Sequence, residues 1–154
     1  MASEVKTNKV SPASGTTVTL GNSGNTISVA SGATLLGSGA TFKLNKYSET
    51  VNSIGSTGGG TQDIDLNSGS VVTATVDTSA NTFTFSNAIA SGDCSSFTLI
   101  LTNGGSQTVN WPASVNWAGG TAPTLTTSGV DVLTFTTVDG GTTWYGFAAG
   151  LDMQ

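Results

Sequence analysis

Short segments in which serine or threonine alternates with an apolar residue recur through this 154-residue chain, and turns rich in glycine or asparagine separate them. Successive side chains of a β-strand point to opposite faces, so each segment predicts a strand with one apolar face. Glycine, serine, threonine and asparagine together supply 79 of the 154 residues, a composition that disfavours helices. We therefore expect an ordered, all-β protein.

Charge divides the chain into two regions. Residues 1–46 carry all four lysines and one glutamate, whereas residues 47–154 carry eight acids and no base. Three consecutive glycines at 58–60 bend easily and pair poorly. We predict a β-rich attachment and oligomerisation segment at 1–46 and a Gly-rich connector at 47–60. Residues 61–154 are predicted to form a small antiparallel β-sandwich or jelly-roll domain.

The domain at 61–154 shows its strands most clearly. Alternation predicts seven strands, at 61–66, 70–76, 82–86, 96–102, 107–111, 131–138 and 142–147. Turn residues Asp139, Gly140 and Gly141 suit a tight hairpin, so the last two strands should pair with each other. Segment 96–102 has apolar residues on both faces, which predicts a central strand. Two prolines make segment 111–123 a predicted loop.

The predicted strands of the first region, at 17–20, 26–29, 34–36 and 41–44, each offer only two or three apolar residues to one face. So thin a strip cannot enclose a core of its own, because small folds bury too little surface to offset chain entropy. We predict that these faces bury against copies of the chain or against a partner protein. The alternative is that they are the first hairpins of one sandwich with the rest of the chain. The predicted contact residues are Val18, Leu20, Ile27, Val29, Leu35 and Leu36.

Several functional classes are disfavoured by what the chain lacks. It contains no histidine, no arginine and a single cysteine. This removes the usual proton shuttle, the usual zinc ligands and the clustered cations that bind nucleic acid. No apolar run approaches 18 residues, and the start lacks the apolar stretch of a secretory signal. We predict no enzyme activity, no cofactor, no catalytic or metal-binding residues, no nucleic-acid partner and no membrane insertion.

Asp63, Asp65 and Asn67 lie two residues apart, so on a strand their oxygens would share one face and could approach a hard cation such as Ca²⁺. The EF-hand spacing is not met, because Ser68 stands where the loop glycine is needed. The alternative, which we favour, is an outward polar face opposite buried Ile64 and Leu66. The charged pair also discourages pairing with foreign strands.

A glycan site is a second kind of hypothesis. Trp117 lies in a Gly- and Pro-rich loop, where an exposed ring could stack on a sugar while Asn110 or Asn116 binds its hydroxyls. The alternative is that Trp117 packs over the end of the β domain. Glycan hydrolysis by two acids ranks third, because the pairs close in sequence, Asp63 with Asp65 and Asp131 with Asp139, have no recognisable catalytic context.

Three segments carry a resemblance to a known family: residues 3–12, residues 17–24 and residues 132–146. Together they resemble virion structural proteins of marine tailed bacteriophages, particularly tail-fibre or fibre-like proteins. The resemblance implies a homotrimeric appendage, assembled in the host cytoplasm and located in the virion. Its N-terminal region would dock on the particle and its C-terminal β domain would face outward.

Partners implied by the resemblance are copies of the chain and other virion proteins of the tail or capsid. The chain is short for a fibre that carries both a long shaft and a receptor-binding tip. A capsid decoration protein or a fibre adaptor is therefore a competing hypothesis. A carbohydrate-binding module that recognises host surface glycans is the third.

Overall fold

The computed structural model describes residues 14–15, 20, 23–29 and 43–154. The chain divides into two compact units, Met1–Asn45 and Lys46–Gln154. In the first unit, residues 23–24 form a turn and residues 25–29 form neither helix nor strand, so the strand predicted at 26–29 is not present. Most of the other predicted strands of this region lie outside the described residues, as do Val18, Leu35 and Leu36.

Nearly all of the regular secondary structure of the second unit is β-strand, which agrees with the predicted all-β fold. The nine strands are β1 (Val51–Ser56), β2 (Gly60–Asp65), β3 (Val71–Thr75), β4 (Asn81–Ser86), β5 (Ser95–Thr102), β6 (Val109–Asn110), β7 (Val115–Trp117), β8 (Val130–Thr137) and β9 (Trp144–Met153). The described helical segments are three-residue 3-10 turns, at Leu66–Ser68, Gly104–Ser106 and Ala118–Gly120. In the described part of the chain, no helix is long and apolar enough to cross a membrane.

The first six strands alternate between two sheets. Strands β1, β3 and β5 pair in parallel in a six-stranded sheet, while β2, β4 and β6 pair in parallel in a three-stranded sheet. Strands β1 to β4 therefore each pair with the strand two further along the chain. We call two consecutive strands, one in each sheet, a coil, and each coil stacks on the previous one. Turn glycines allow these reversals, and Gly58, Gly59 and Gly60 all have positive φ angles.

The last strands complete the six-stranded sheet in the order β1-β3-β5-β8-β9-β7. Strand β8 is antiparallel to β5, and β9 is antiparallel to β8. The β8–β9 pairing confirms the predicted hairpin at 139–141. Strand β7 pairs in parallel with β9 at the sheet edge.

One core lies between the two sheets, because inward side chains of both contribute to the same cluster. Strand β5 lies between β3 and β8, as its apolar pattern predicts, and supplies three of the buried residues. Trp144, at the start of β9, is 1% exposed and is the largest buried side chain. The buried apolar residues are Ile64, Val72, Ala74, Val76, Phe83, Phe97, Leu99, Leu101, Leu133, Phe135 and Trp144.

Three details of the predicted organisation require correction. The prediction of antiparallel pairing is wrong for most of the unit, since five of the seven strand pairs are parallel. The predicted connector at 47–60 contains strand β1 and the first residue of β2. The predicted loop at 111–123 contains the short strand β7 and a 3-10 turn.

Candidate functional site

The described contact residues of the first unit are exposed. Leu20 is 63% exposed, Ile27 is 61% exposed and Val29 is 46% exposed. Removal of an aliphatic side chain from water is favourable, so three exposed aliphatic residues within ten positions would be stabilised by contact with another protein surface. Residues 20, 27 and 29 are therefore a candidate contact surface.

Trp117 is half-buried and belongs to the edge of the core. Its ring makes edge-on contacts with Trp111, at a centroid distance of 5.4 Å, and with Phe135, at 5.5 Å. Aromatic pairs prefer this edge-to-face geometry. The placement corresponds to the packing alternative and not to a ring held out toward a sugar.

The structure does not bring Asn110 and Asn116 together with Trp117. Asn110 lies on β6 in the three-stranded sheet, where its side-chain amide donates to the hydroxyl of Thr82 at 3.4 Å. Asn116 lies next to Trp117 on β7 and is exposed, so the two side chains point to opposite faces. The predicted glycan-contact residues are thus divided among three surfaces.

The carboxylates of β2 are occupied by hydrogen bonds from the next coil. Asp63 accepts from the hydroxyls of Thr84, at 2.7 Å, and Ser86, at 2.6 Å. The amide of Asn87 and the backbone N–H of Asn67 donate to Asp65, and these bonds lower the pKa of the Asp65 carboxyl. The described residues contain no cluster of three or more His, Cys, Asp or Glu side chains. This arrangement favours the polar-face interpretation of the segment.

Asp131 and Asp139 are far apart on the hairpin. Asp131 is buried near the start of β8, whereas Asp139 follows the end of that strand. Eight residues of extended chain separate them by about 25 Å. Paired glycosidase carboxylates lie only about 5 to 9.5 Å apart. Within one chain, these two acids therefore cannot act on one glycosidic bond.

Asp139 organises the turn between β8 and β9. It accepts from the backbone N–H of Thr143 at 2.9 Å and from the hydroxyl of Thr137 at 2.8 Å. These two bonds, the first being the larger influence, lower the pKa of the Asp139 carboxyl. The side chain thus stabilises the hairpin that completes the six-stranded sheet.

The outer face of the six-stranded sheet, the side away from the core, presents aromatic rings next to hydroxyl groups. Phe147 is 54% exposed and lies in one cross-strand row with Thr134 and Thr98. Tyr145 is 47% exposed and lies in the neighbouring row with Thr136. Alternation along 142–147 could have identified both rings, because Tyr145 and Phe147 share the face opposite the buried Trp144.

Two adjoining cavities border this face, and together we call them the outer groove. One has a volume of about 380 Å³ and lies between the turn after β2, the segment after β4 and the start of β5. The other, about 310 Å³, is lined by the row that ends at Phe147 and by Glu49. Ser70 and Ser96 line both cavities, so the two adjoin at these residues.

Comparisons with protein-family models, with curated proteins and with solved structures found no match to this chain.

Proposed function

We propose that this protein is a non-enzymatic structural protein of a bacteriophage virion, a tail-fibre or fibre-like appendage that assembles as a homotrimer. Residues 1–46 would mediate assembly and docking on the particle, and the β unit at Lys46–Gln154 would face outward. The observation that carries the proposal is the exposure of Leu20, Ile27 and Val29 in the first unit. The resemblance of the sequence to fibre-like virion proteins supplies the virion assignment and the number of copies.

Apolar exposure supports assembly because the second unit already has a core of its own. Eleven apolar residues of Lys46–Gln154 are buried together. Leu20, Ile27 and Val29 are exposed, and contact with another copy or with another protein would bury them. Their burial would contribute about 25 cal/mol per Å² of apolar surface. Copies arranged around a symmetry axis bury the same patch on every chain, which is the simplest way to cover it.

Charge supports the orientation. The lysines of residues 1–46 give that region a net charge of +3, whereas residues 47–154 have a net charge of −8. A basic segment suits docking on an acidic protein surface, and an acidic β unit keeps the exposed end soluble.

The use of the carboxylates supports a structural role. Asp63, Asp65 and Asp139 accept hydrogen bonds that link adjacent coils or close a turn. Buried Asp131 accepts hydrogen bonds from Thr126, in the segment before β8. Residues that could otherwise serve as acid or base are therefore part of the scaffold.

The mass of the full chain in solution tests assembly. Light scattering coupled to size-exclusion chromatography should give the mass of three chains of 15.3 kDa each. Ile27→Asp should give monomers with unchanged near-UV circular dichroism, because the rings of the β unit stay packed. Ser28→Asp introduces the same charge at the neighbouring position and should remain trimeric. A monomeric wild-type chain, or a trimeric Ile27→Asp variant, would contradict the assembly surface.

Location in the particle is tested separately. Virions purified from the virus that encodes the chain should contain it by mass spectrometry, and gold-labelled antibodies should mark the tail. Labelling over the head would instead favour a capsid decoration protein, and absence of the chain from particles would refute the virion assignment.

A further inference from the structure

We propose that the outer groove of the β unit binds an uncharged oligosaccharide, with Phe147 as the stacking ring. The inference concerns only Lys46–Gln154 and does not depend on the virion assignment. It assigns the stacking contact to Phe147 and not to Trp117, whose ring is packed at the edge of the core.

The groove has the size and position of a small-ligand site. Its two cavities, about 380 and 310 Å³, each fall at the lower end of the volumes typical of ligand pockets, about 300 to 1,000 Å³. They adjoin at Ser70 and Ser96, so an occupant can extend from one into the other.

The lining chemistry corresponds to that of a sugar. The cavity below Phe147 is lined by the hydroxyls of Ser96, Thr98 and Thr134. Neither the Thr98 nor the Thr134 hydroxyl makes a hydrogen bond to another described residue, although both side chains are half-buried. Groups of this kind gain most from a ligand rich in hydroxyls, because each can donate one hydrogen bond and accept another.

Phe147 supplies the apolar part of the site. Its cross-strand neighbour is Thr134, and the neighbour of Thr134 is Thr98. An exposed ring therefore lies at the end of a row of hydroxyls. A pyranose ring has the same combination, with C–H groups on its faces and hydroxyls around its edge, so one sugar can contact both features at once.

Charge selects an uncharged glycan over an acidic one. Among the described residues that line the two cavities, Glu49 is the one charged side chain, and it accepts a hydrogen bond from Ser70 at 2.6 Å. The whole unit Lys46–Gln154 carries eight acids and one base, Lys46. A uronate or sulfate would be repelled by this field, whereas a neutral sugar hydroxyl can donate to the Glu49 carboxylate.

Calorimetric titration of the full chain tests the proposal. The probes are uncharged hexasaccharides of glucose, galactose, mannose and N-acetylglucosamine, with alginate hexauronate as the acidic counterpart. We expect at least one uncharged probe to bind and the alginate probe not to bind. Phe147→Ala should weaken binding about tenfold, and Thr134→Val about threefold.

Tyr145→Ala is the matched control, because it removes an exposed ring two residues away on the same strand and face. It should leave the affinity within about twofold of the wild type. The proposal would be overturned if no uncharged probe binds at about 1 mM, or if alginate binds as well as the best uncharged probe. It would also be overturned if Tyr145→Ala weakens binding as much as Phe147→Ala does.

Oligomer mass separates this proposal from the assembly proposal. Ile27→Asp should abolish the trimer and leave the affinity of each β unit unchanged. Phe147→Ala should leave the mass unchanged. If Phe147→Ala instead dissociates the oligomer, the groove is a contact between copies of the chain and not a sugar site.

Discussion

Gly146 lies directly against the indole ring of Trp117. A Cβ atom at Gly146 would stand 2.7 Å from Cζ3 and 2.9 Å from Cε3 of that ring. The two residues are also register partners, since Trp117 on β7 pairs with Gly146 on β9. The absence of a side chain at 146 is therefore what allows the ring to reach Phe135.

Replacing Gly146 with alanine should displace the Trp117 ring. Two non-bonded carbon atoms cannot approach to 2.7 Å, so the added Cβ must push the ring away from its contacts with Trp111 and Phe135. We expect the free energy of unfolding to fall by about 1 to 3 kcal/mol. Urea denaturation measures the cost, and near-UV circular dichroism reports the change around the indole. The double variant Gly146→Ala with Trp117→Phe should recover part of the loss, because the smaller ring leaves room for the methyl group. Additive losses would show that the two residues do not interact as described.

The position of Trp117 also shows where sequence reasoning reaches its limit. Flanking glycines and prolines indicate a loop, and a loop tryptophan is a reasonable candidate for exposure. Only the pairing of β7 with β9, about 30 residues apart, turns the ring inward over Gly146. The period-two alternation of β9 does, however, place Tyr145 and Phe147 on the outward face.

Strand positions could be predicted well, whereas their partners could not. The period-two pattern locates β2, β3, β4, β5 and β8 to within about two residues, because it depends only on which side chains point inward. Parallel and antiparallel pairing share that pattern. Val51 pairs with Val71, but Val71 pairs with Thr98, so successive coils differ in length and leave no fixed repeat to detect. Strand β1 was not predicted, because a register shift between Ser53 and Gly55 interrupts its alternation.

Asp131 should be the acid on which stability depends most. It is fully buried and accepts hydrogen bonds from the backbone N–H and the hydroxyl of Thr126, both at 2.7 Å, and from the N–H of Asp152 at 3.1 Å. Asp131→Ala would leave these donors unpaired, and we expect a loss of about 3 kcal/mol or more in the free energy of unfolding. Asp131→Asn keeps one acceptor oxygen and should lose less.

Urea denaturation of these variants should be compared with Asp93→Ala, which changes an exposed acid in the turn before β5. That control should alter the free energy of unfolding by about 0.5 kcal/mol or less. Hydrogen exchange at the Asp152 amide should accelerate in Asp131→Ala. A cost for Asp131→Ala no larger than that of the control would contradict the role assigned to the buried carboxylate.

Acid should destabilise the protein below the usual pKa of an aspartate. Hydrogen bonds lower the pKa values of three aspartates from the usual 3.8. The largest contribution comes from the side chain of Asn87 for Asp65 and from that of Ser56 for Asp77. For Asp139 it comes from the backbone N–H of Thr143. The unfolded chain then binds protons at a higher pH than the folded chain does. The contribution of these groups to the free energy of unfolding is fully present above their pKa in the unfolded chain. It is lost as the pH falls through their pKa values in the folded chain.

The midpoint of urea denaturation should therefore be nearly constant from about pH 8 to pH 6, because the chain has no histidine, and should fall below about pH 4. Asp139→Asn should show a shallower acid decrease than the wild type, since one of the titrating groups is removed. An equally steep decrease in the variant would show that Asp139 does not contribute to the acid sensitivity.

Calcium should not stabilise the protein, although Asp63 and Asp65 share one face of β2. Their oxygens already accept hydrogen bonds from Thr84, Ser86 and Asn87 on the neighbouring coil, so binding a cation would require those bonds to break. We expect millimolar CaCl2 or EDTA to move the melting temperature by less than about 1 °C, since a ligand stabilises the fold only by binding it preferentially. Asp63→Ala should lower the free energy of unfolding by about 1 kcal/mol, because the two hydroxyl donors lose their charged acceptor. If Ca²⁺ raises the melting temperature of the wild type and not of Asp63→Ala, the carboxylates of β2 form a cation site, and their hydrogen bonds to the neighbouring coil do not exclude Ca²⁺.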